Sequence, residues 1–188
     1  MAEAVDRGGR EVNGAVGMRR LAMAVCAVVV VHAACAVEAG VVRNEVVELR
    51  QNDESLRATY AKDKRMNLPR LLLLDAQGRP LLVEVGLRDG VGRRMAKALD
   101  KGAPMQSPIT LDFALSEVVS ADGKAVSTQD LPVADAYVVD YWARWCAPCR
   151  MLARDIQSQL HRWERDGRHV VWLKIESDPD KLPKDHKA

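Results

Sequence analysis

Neither sign of charge dominates this chain: 28 basic and 26 acidic residues leave a net charge of +2 over 188 residues. No basic stripe stands out, which argues against nucleic acid as the main partner. Cysteine is sparse as well. Of the four, Cys26 and Cys35 lie in an N-terminal apolar segment, and Cys146 and Cys149 stand together further on. A lone close pair is not the disulfide framework of a small stapled fold. It reads as a redox couple or, less favourably, as half of a metal site. No second ligand pair is spaced for zinc, and His161 and His169 read as surface-helix and loop residues. The 48% of hydrophobic residues is enough for one domain with a sizeable core.

The one long apolar run, Leu21 to Val31, follows Arg19-Arg20 and leads into small residues through Ala39. Basic start, apolar core and small-residue end predict a secretory signal peptide within residues 1–39, cleaved after Ala39, and hence a periplasmic or otherwise exported protein. The alternative is an uncleaved membrane anchor. Leu21 to Val37 is 17 residues with His32 inside, at the short limit for spanning. His32-Ala33-Ala34 before Cys35 speaks against a lipoprotein signal, and Met18 offers an alternative start.

Residues 40–106 read as a first half. Val41 to Val47 has no clear period. From Glu48 a helical pattern places Leu49, Leu56 and Tyr60 near one face, with Asn52, Asp53 and Ser55 as cap candidates. Asn67-Leu68-Pro69 ends it. Leu71 to Leu74 and Leu81 to Val85, around Asp75-Ala76-Gln77-Gly78-Arg79, predict a β-hairpin. Asp89 is expected to cap a helix carrying Val91, Met95, Ala98 and Leu99, closed by Gly102.

Residues 107–176 form the second half. Ile109 to Val119 suggests a strand, Ala121 to Lys124 a turn, Ala125 to Ser127 a return strand, and Ser127 to Leu131 a cap with one helical turn. Tyr137 to Trp142 is a strong central strand. The helix after Cys146 buries Cys149, Leu152, Ile156, Leu160 and Trp163 and ends at Gly167. Val170 to Ile175 is the next strand, and residues 177–188 read as an exposed tail.

The chemistry follows from where the pair sits. A thiolate is the reactive form of cysteine, and unpaired N–H groups at a helix N-terminus favour negative charge. Cys146 is placed to attack a disulfide, and Cys149, nearly one turn on and facing the core, to resolve the mixed disulfide. Pro148 at an early helix position gives up an N–H the helix does not use. Trp145 would cover one side of the pair. Asp140, on a strand that otherwise reads as buried, is either a carboxyl of raised pKa that exchanges protons with Cys149 or a carboxylate paired with a base at the sheet end.

Val138-Val139-Asp140-Tyr141-Trp142-Ala143-Arg144-Trp145-Cys146-Ala147-Pro148-Cys149-Arg150 closely resembles the active-site segment of thioredoxins. Ile109 to Leu131, with Asp122-Gly123-Lys124 and Ser127-x-x-Asp130-Leu131, looks more like the exported thioredoxin-like reductases. The resemblance implies an α/β thioredoxin-like fold, a central mixed sheet flanked by helices. It also implies a thiol-disulfide oxidoreductase, more a reductase than an oxidase, with no cofactor or metal. Disulfide-containing protein substrates and a dithiol electron donor, membrane-borne or not, would be its partners. Trp145, Ala147 and Pro148 would line the substrate groove together with Leu68 and Pro69, the proline facing the cysteine pair, and Asp140 would take the family's strand-carboxylate role.

Only 39 residues follow Cys149, too few for the helix, cis-proline loop, hairpin and closing helix that the family places after the strand matching Val170 to Ile175. Residues 49–101 resemble that missing half, with Leu68-Pro69 where the family has its cis-proline. The expectation is a fold with its halves in permuted order, residues 102–108 joining the old last helix to the old first strand. Arg70 replaces the usual small residue after the proline. Rival expectations are a separate cap over residues 40–106, an exchange of halves between two chains, a non-catalytic binding module, or a Cu(I) metallochaperone using the two thiolates.

Overall fold

The computed structural model describes residues 43–62 and 66–181. The expected signal segment, with Cys26 and Cys35, and residues 182–188 of the expected tail lie outside the described residues. None of the described helices is long and apolar enough to cross a membrane.

Ten elements follow in chain order: β1 (Glu45–Gln51), α1 (Asp53–Lys62), β2 (Arg70–Asp75), β3 (Pro80–Val85), α2 (Val91–Lys101), α3 (Leu111–Ser116), β4 (Val118–Val119), β5 (Ala136–Trp142), α4 (Ala147–Arg165) and β6 (Val170–Glu176). Short 3-10 turns cover Thr128–Asp130 and Pro179–Lys181. The strands form one mixed sheet in the order β3-β2-β5-β6-β1-β4. β5 and β6 are parallel, as are β6 and β1, whereas β2 runs antiparallel to β5.

Strand alternation sorts the core onto the two faces of the sheet. Leu72, Leu74, Tyr137, Val139, Tyr141, Leu173 and Ile175 meet Leu111, Leu115 and Leu131 on one face. Leu71, Leu73, Ala136 and Val138 meet Val91 and Met95 of α2 and Leu152, Ile156 and Trp163 of α4 on the other. β5 is buried along nearly its whole length, which explains its continuous apolar reading.

The hairpin forms as expected. The Asp75 carboxylate accepts from the backbone N–H groups of Gln77 and Arg79, and Gly78 turns the chain at φ 74°. A Cβ on Gly78 would lie 2.7 Å from that of Leu111, so this turn also seats the start of α3. The helix over Val91–Lys101 and its Gly102 end are likewise as expected. Its N-cap, however, is Gly90 without a side-chain cap, not Asp89. Asp89 instead offers its carbonyl to Arg94, whose guanidinium also grips the buried Glu84 carboxylate through two nitrogens, at 2.5 and 2.8 Å. Arg94→Met leaves that carboxylate buried and unpaired. We expect a loss of about 2 kcal/mol in urea unfolding at neutral pH, less than the cost of breaking a fully buried pair because the arginine is partly solvated.

Four expectations are corrected. Residues 45–51 form a strand, so Glu48 to Gln51 are not the start of a helix. The helix begins only at Asp53, with Asn52 capping it by accepting from the Ser55 N–H at 2.8 Å. Residues 109–119 are mainly helix: Thr110 caps α3 by accepting from the Phe113 N–H, and Leu111, Ala114 and Leu115 are buried at helical spacing. Only Val118–Val119 pairs as strand, against β1, and the expected return strand shrinks to a single bridge at Ala125. Residues 109–119 thus supply no strand beside β6; β1 occupies that place. The tail begins buried as well, since Ser177 and Asp178 are enclosed and the turn at Pro179–Lys181 packs on α1. The cap and turn at Ser127–Asp130 form as read, as a capping box.

Candidate active site

The C-terminal end of β5 leads through Ala143 to Trp145 into α4, and the two cysteines sit where the helix starts. Cys146 is the N-cap, Pro148 occupies the first turn, and Cys149 follows on the inward face. The two sulfurs are joined in a disulfide. The Cys149 N–H points at the Cys146 sulfur at 3.2 Å, so a helix-end donor is already aimed at the atom that would carry negative charge after reduction. Both cysteines are nearly enclosed, at 3% and 2% exposure, while Trp145, Ala147 and Pro148 form an exposed rim.

The expected partner from upstream is present. Leu68-Pro69 is a cis peptide bond, and Leu68 packs against the group formed by Ala143, Cys146 and Cys149, together with Trp142. Leu68 also touches Leu56 and Met66 and the larger core, which anchors the proline loop to α1 and to the sheet at once. Pro69 is buried, and its carbonyl accepts from the Gly86 N–H, closing the hairpin beside the site. The antiparallel pairing of β2 with β5, Arg70 opposite Tyr141, delivers this loop to the end of β5 that carries the disulfide.

Asp140 is 1% exposed, and neither carboxylate oxygen has a hydrogen-bond partner among the described residues. It shares the face of β5 with Val138, hence the side covered by α4. Burial pushes its carboxyl up to about 7, with the Lys174 charge pulling partly the other way. The carboxyl therefore sits near the protonation balance of neutral solution.

Lys174 is a neighbour the sequence reading missed. It lies opposite Asp140 in β6, over the rings of Trp142 and Trp172 at 5.2 and 5.5 Å, and it contacts Glu48 of β1 at 3.2 Å. Its lone lysine in an apolar strand was a signal, but its partner depends on register. His161 and His169 face Glu164 and Glu45, respectively, at 3.6 and 3.3 Å. Among the described residues no three His, Cys, Asp or Glu side chains come together as a metal site.

The thioredoxin family model matches residues 124–187, the stretch that holds β5, the cysteine pair, α4 and β6. That stretch is thioredoxin-like. Curated relatives agree over the same kind of span. A thioredoxin of Pseudomonas aeruginosa is 40% identical over 57 residues, 30% of this chain and 52% of that protein. One of Rickettsia typhi is 36% identical over 61 residues, 32% and 52% of the two chains. One of Porphyra purpurea is 34% identical over 68 residues, 36% and 59% of the two chains. The chain thus spans about half the length of the curated relatives it matches. No solved structure matches it.

Proposed function

We propose that this protein is an exported thiol-disulfide oxidoreductase working as a reductase, and that its thioredoxin-like domain has its halves in permuted order. The observation that carries this reading is the meeting of a cysteine pair at a helix N-terminus with a cis-proline loop from earlier in the chain. The family match supports it, and its position supports the permutation. It covers the cysteine half and leaves out the proline half, which stands upstream, where a collinear comparison cannot follow it.

In the reduced protein, the Cys146 thiolate attacks one sulfur of a substrate disulfide. A mixed disulfide forms and the first substrate thiolate leaves. The Asp140 carboxylate then takes the proton of Cys149, whose sulfur attacks Cys146. The second substrate thiolate leaves, and the Cys146–Cys149 disulfide is restored with two electrons passed to the substrate. An external dithiol protein, membrane-borne or soluble, resets the pair. Trp145, Ala147, Pro148 and Pro69 border the groove in which the substrate chain lies. Export rests on the sequence of residues 1–39, with cleavage and anchoring as its two forms.

The test is turnover of a disulfide-bonded peptide with dithiothreitol as reductant, alongside equilibration of the pair in glutathione buffers. Catalysed reduction and a potential below that of glutathione are expected. Stoichiometric Cu(I) binding without any exchange would instead favour the metallochaperone reading.

A further inference from the structure

We propose that Arg70 makes the substrate groove selective for disulfides flanked by acidic residues. The proposal rests on the oxidoreductase reading above and extends it to the class of substrate. Arg70 directly follows the cis-proline and opens β2, opposite Tyr141. Its guanidinium lies over the Tyr141 ring, 4.4 Å from the centroid. Tyr141 is itself buried, so the stack holds the charged fork in place next to the proline loop.

The fork lacks an anion. Nε and Nη2 of Arg70 are buried without a hydrogen-bond partner, and no carboxylate pairs with Arg70 among the described residues. Five other arginines of the domain meet a carboxylate within 3.2 Å, Arg50 at Asp53, Arg79 at Asp75, Arg94 at Glu84, Arg144 at Glu176 and Arg168 at Asp100, while Arg57 Nε is, like the two Arg70 nitrogens, buried without a partner. Glu117 lies near enough to act on the Tyr141 hydroxyl, yet it makes no ion pair with Arg70. Nε and Nη2 are enclosed, so a carboxylate from outside meets the guanidinium through its remaining nitrogen, Nη1, in a single charge-assisted bond. The residue as a whole keeps part of its surface in solvent, so the charge is not sealed off. A peptide lying along Pro69 brings the side chains next to its cysteine to this fork, and Asp or Glu there supplies what the fold leaves out.

Two disulfide peptides, identical except for Asp or Ser beside the cysteine, test this with dithiothreitol as reductant. The parent protein is expected to favour the acidic peptide by about tenfold in kcat/KM at low salt. The ratio should decline towards one as salt rises to about 0.5 M, where screening is short-ranged. Arg70→Gln should bring the ratio to about one at low salt, whatever its absolute rate. Equal parent rates, a ratio insensitive to salt, or a preference kept by Arg70→Gln would each overturn the proposal. The salt series needs no variant, so a poorly folded Arg70→Gln does not rescue it. A parent that reduces neither peptide sinks the oxidoreductase reading as well, an outcome distinct from equal rates.

Discussion

Cys146→Ser is expected to abolish turnover, with a loss of at least about a thousandfold against a disulfide peptide. A hydroxyl cannot form the mixed disulfide, and the other cysteine of the described residues, Cys149, lies on the inward stripe of α4 with Leu152 and Ile156 rather than at the helix end. The fold should survive, since oxygen at the N-cap still accepts from the Cys149 N–H. Unfolding of the variant should be compared with that of the reduced parent, so that loss of the disulfide cross-link is not counted as loss of packing. Cys149→Ser should behave differently, trapping substrate on Cys146 as a stable mixed disulfide visible by mass. A Cys146→Ser protein as active as the parent would remove the basis of the proposed function.

Asp140→Ala is expected to stabilise the protein at alkaline pH and to slow it at neutral pH. In the unfolded chain the carboxyl ionises near 3.8, and burial raises it to about 7 in the fold. Between those values the folded state holds a proton that the unfolded state has lost, so stability falls as pH rises from about 4 to about 7. Above 7 the full cost is present, on the order of 4 kcal/mol; below 4 it vanishes. Removing the carboxyl should therefore raise unfolding free energy at pH 8 by a few kcal/mol, less the small cavity left behind. That gain should fade as pH approaches 4, which denaturant unfolding across pH reads directly. Turnover at pH 7 should fall by on the order of a hundredfold, because Cys149 loses its proton acceptor. A stability difference that stays constant from pH 4 to pH 8 would show that Asp140 does not titrate as its burial demands.

The two substitutions touch the parts of the site that were most and least legible in the sequence. Trp145-Cys146-Ala147-Pro148-Cys149 declares itself through spacing: three residues along a helix place Cys146 at the end and Cys149 on the buried stripe with Leu152 and Ile156. The hairpin declares itself through Asp75 and Gly78, whose turn chemistry is local. Asp140 is only a charge in an apolar strand until its surroundings are known. Its lack of partners and the charge of Lys174 across the sheet are what define its titration.

The misread segments show the same division. β1 was obscured because Val46 is half exposed and polar residues alternate irregularly with Val47 and Leu49; its strand conformation comes from pairing with β6 and β4. In residues 109–119 the β-like alternation hid a helical spacing, Leu111, Ala114 and Leu115, beneath the Thr110 cap. The segment's burial against Leu131 and Tyr137 favours that helix.

Local order along the chain was enough to place the cysteine pair at a helix start, the strand before it, the helix after it and the proline and hairpin upstream. Each depends on contacts within a few residues: a helical turn, a cap, a two-strand ribbon. Which strand lies beside β6, that Lys174 faces Asp140, and that Arg70 rests on Tyr141 depend instead on register between distant segments. Backbone hydrogen bonds pair strands with little regard to residue identity, so those neighbours emerge only when the whole core closes.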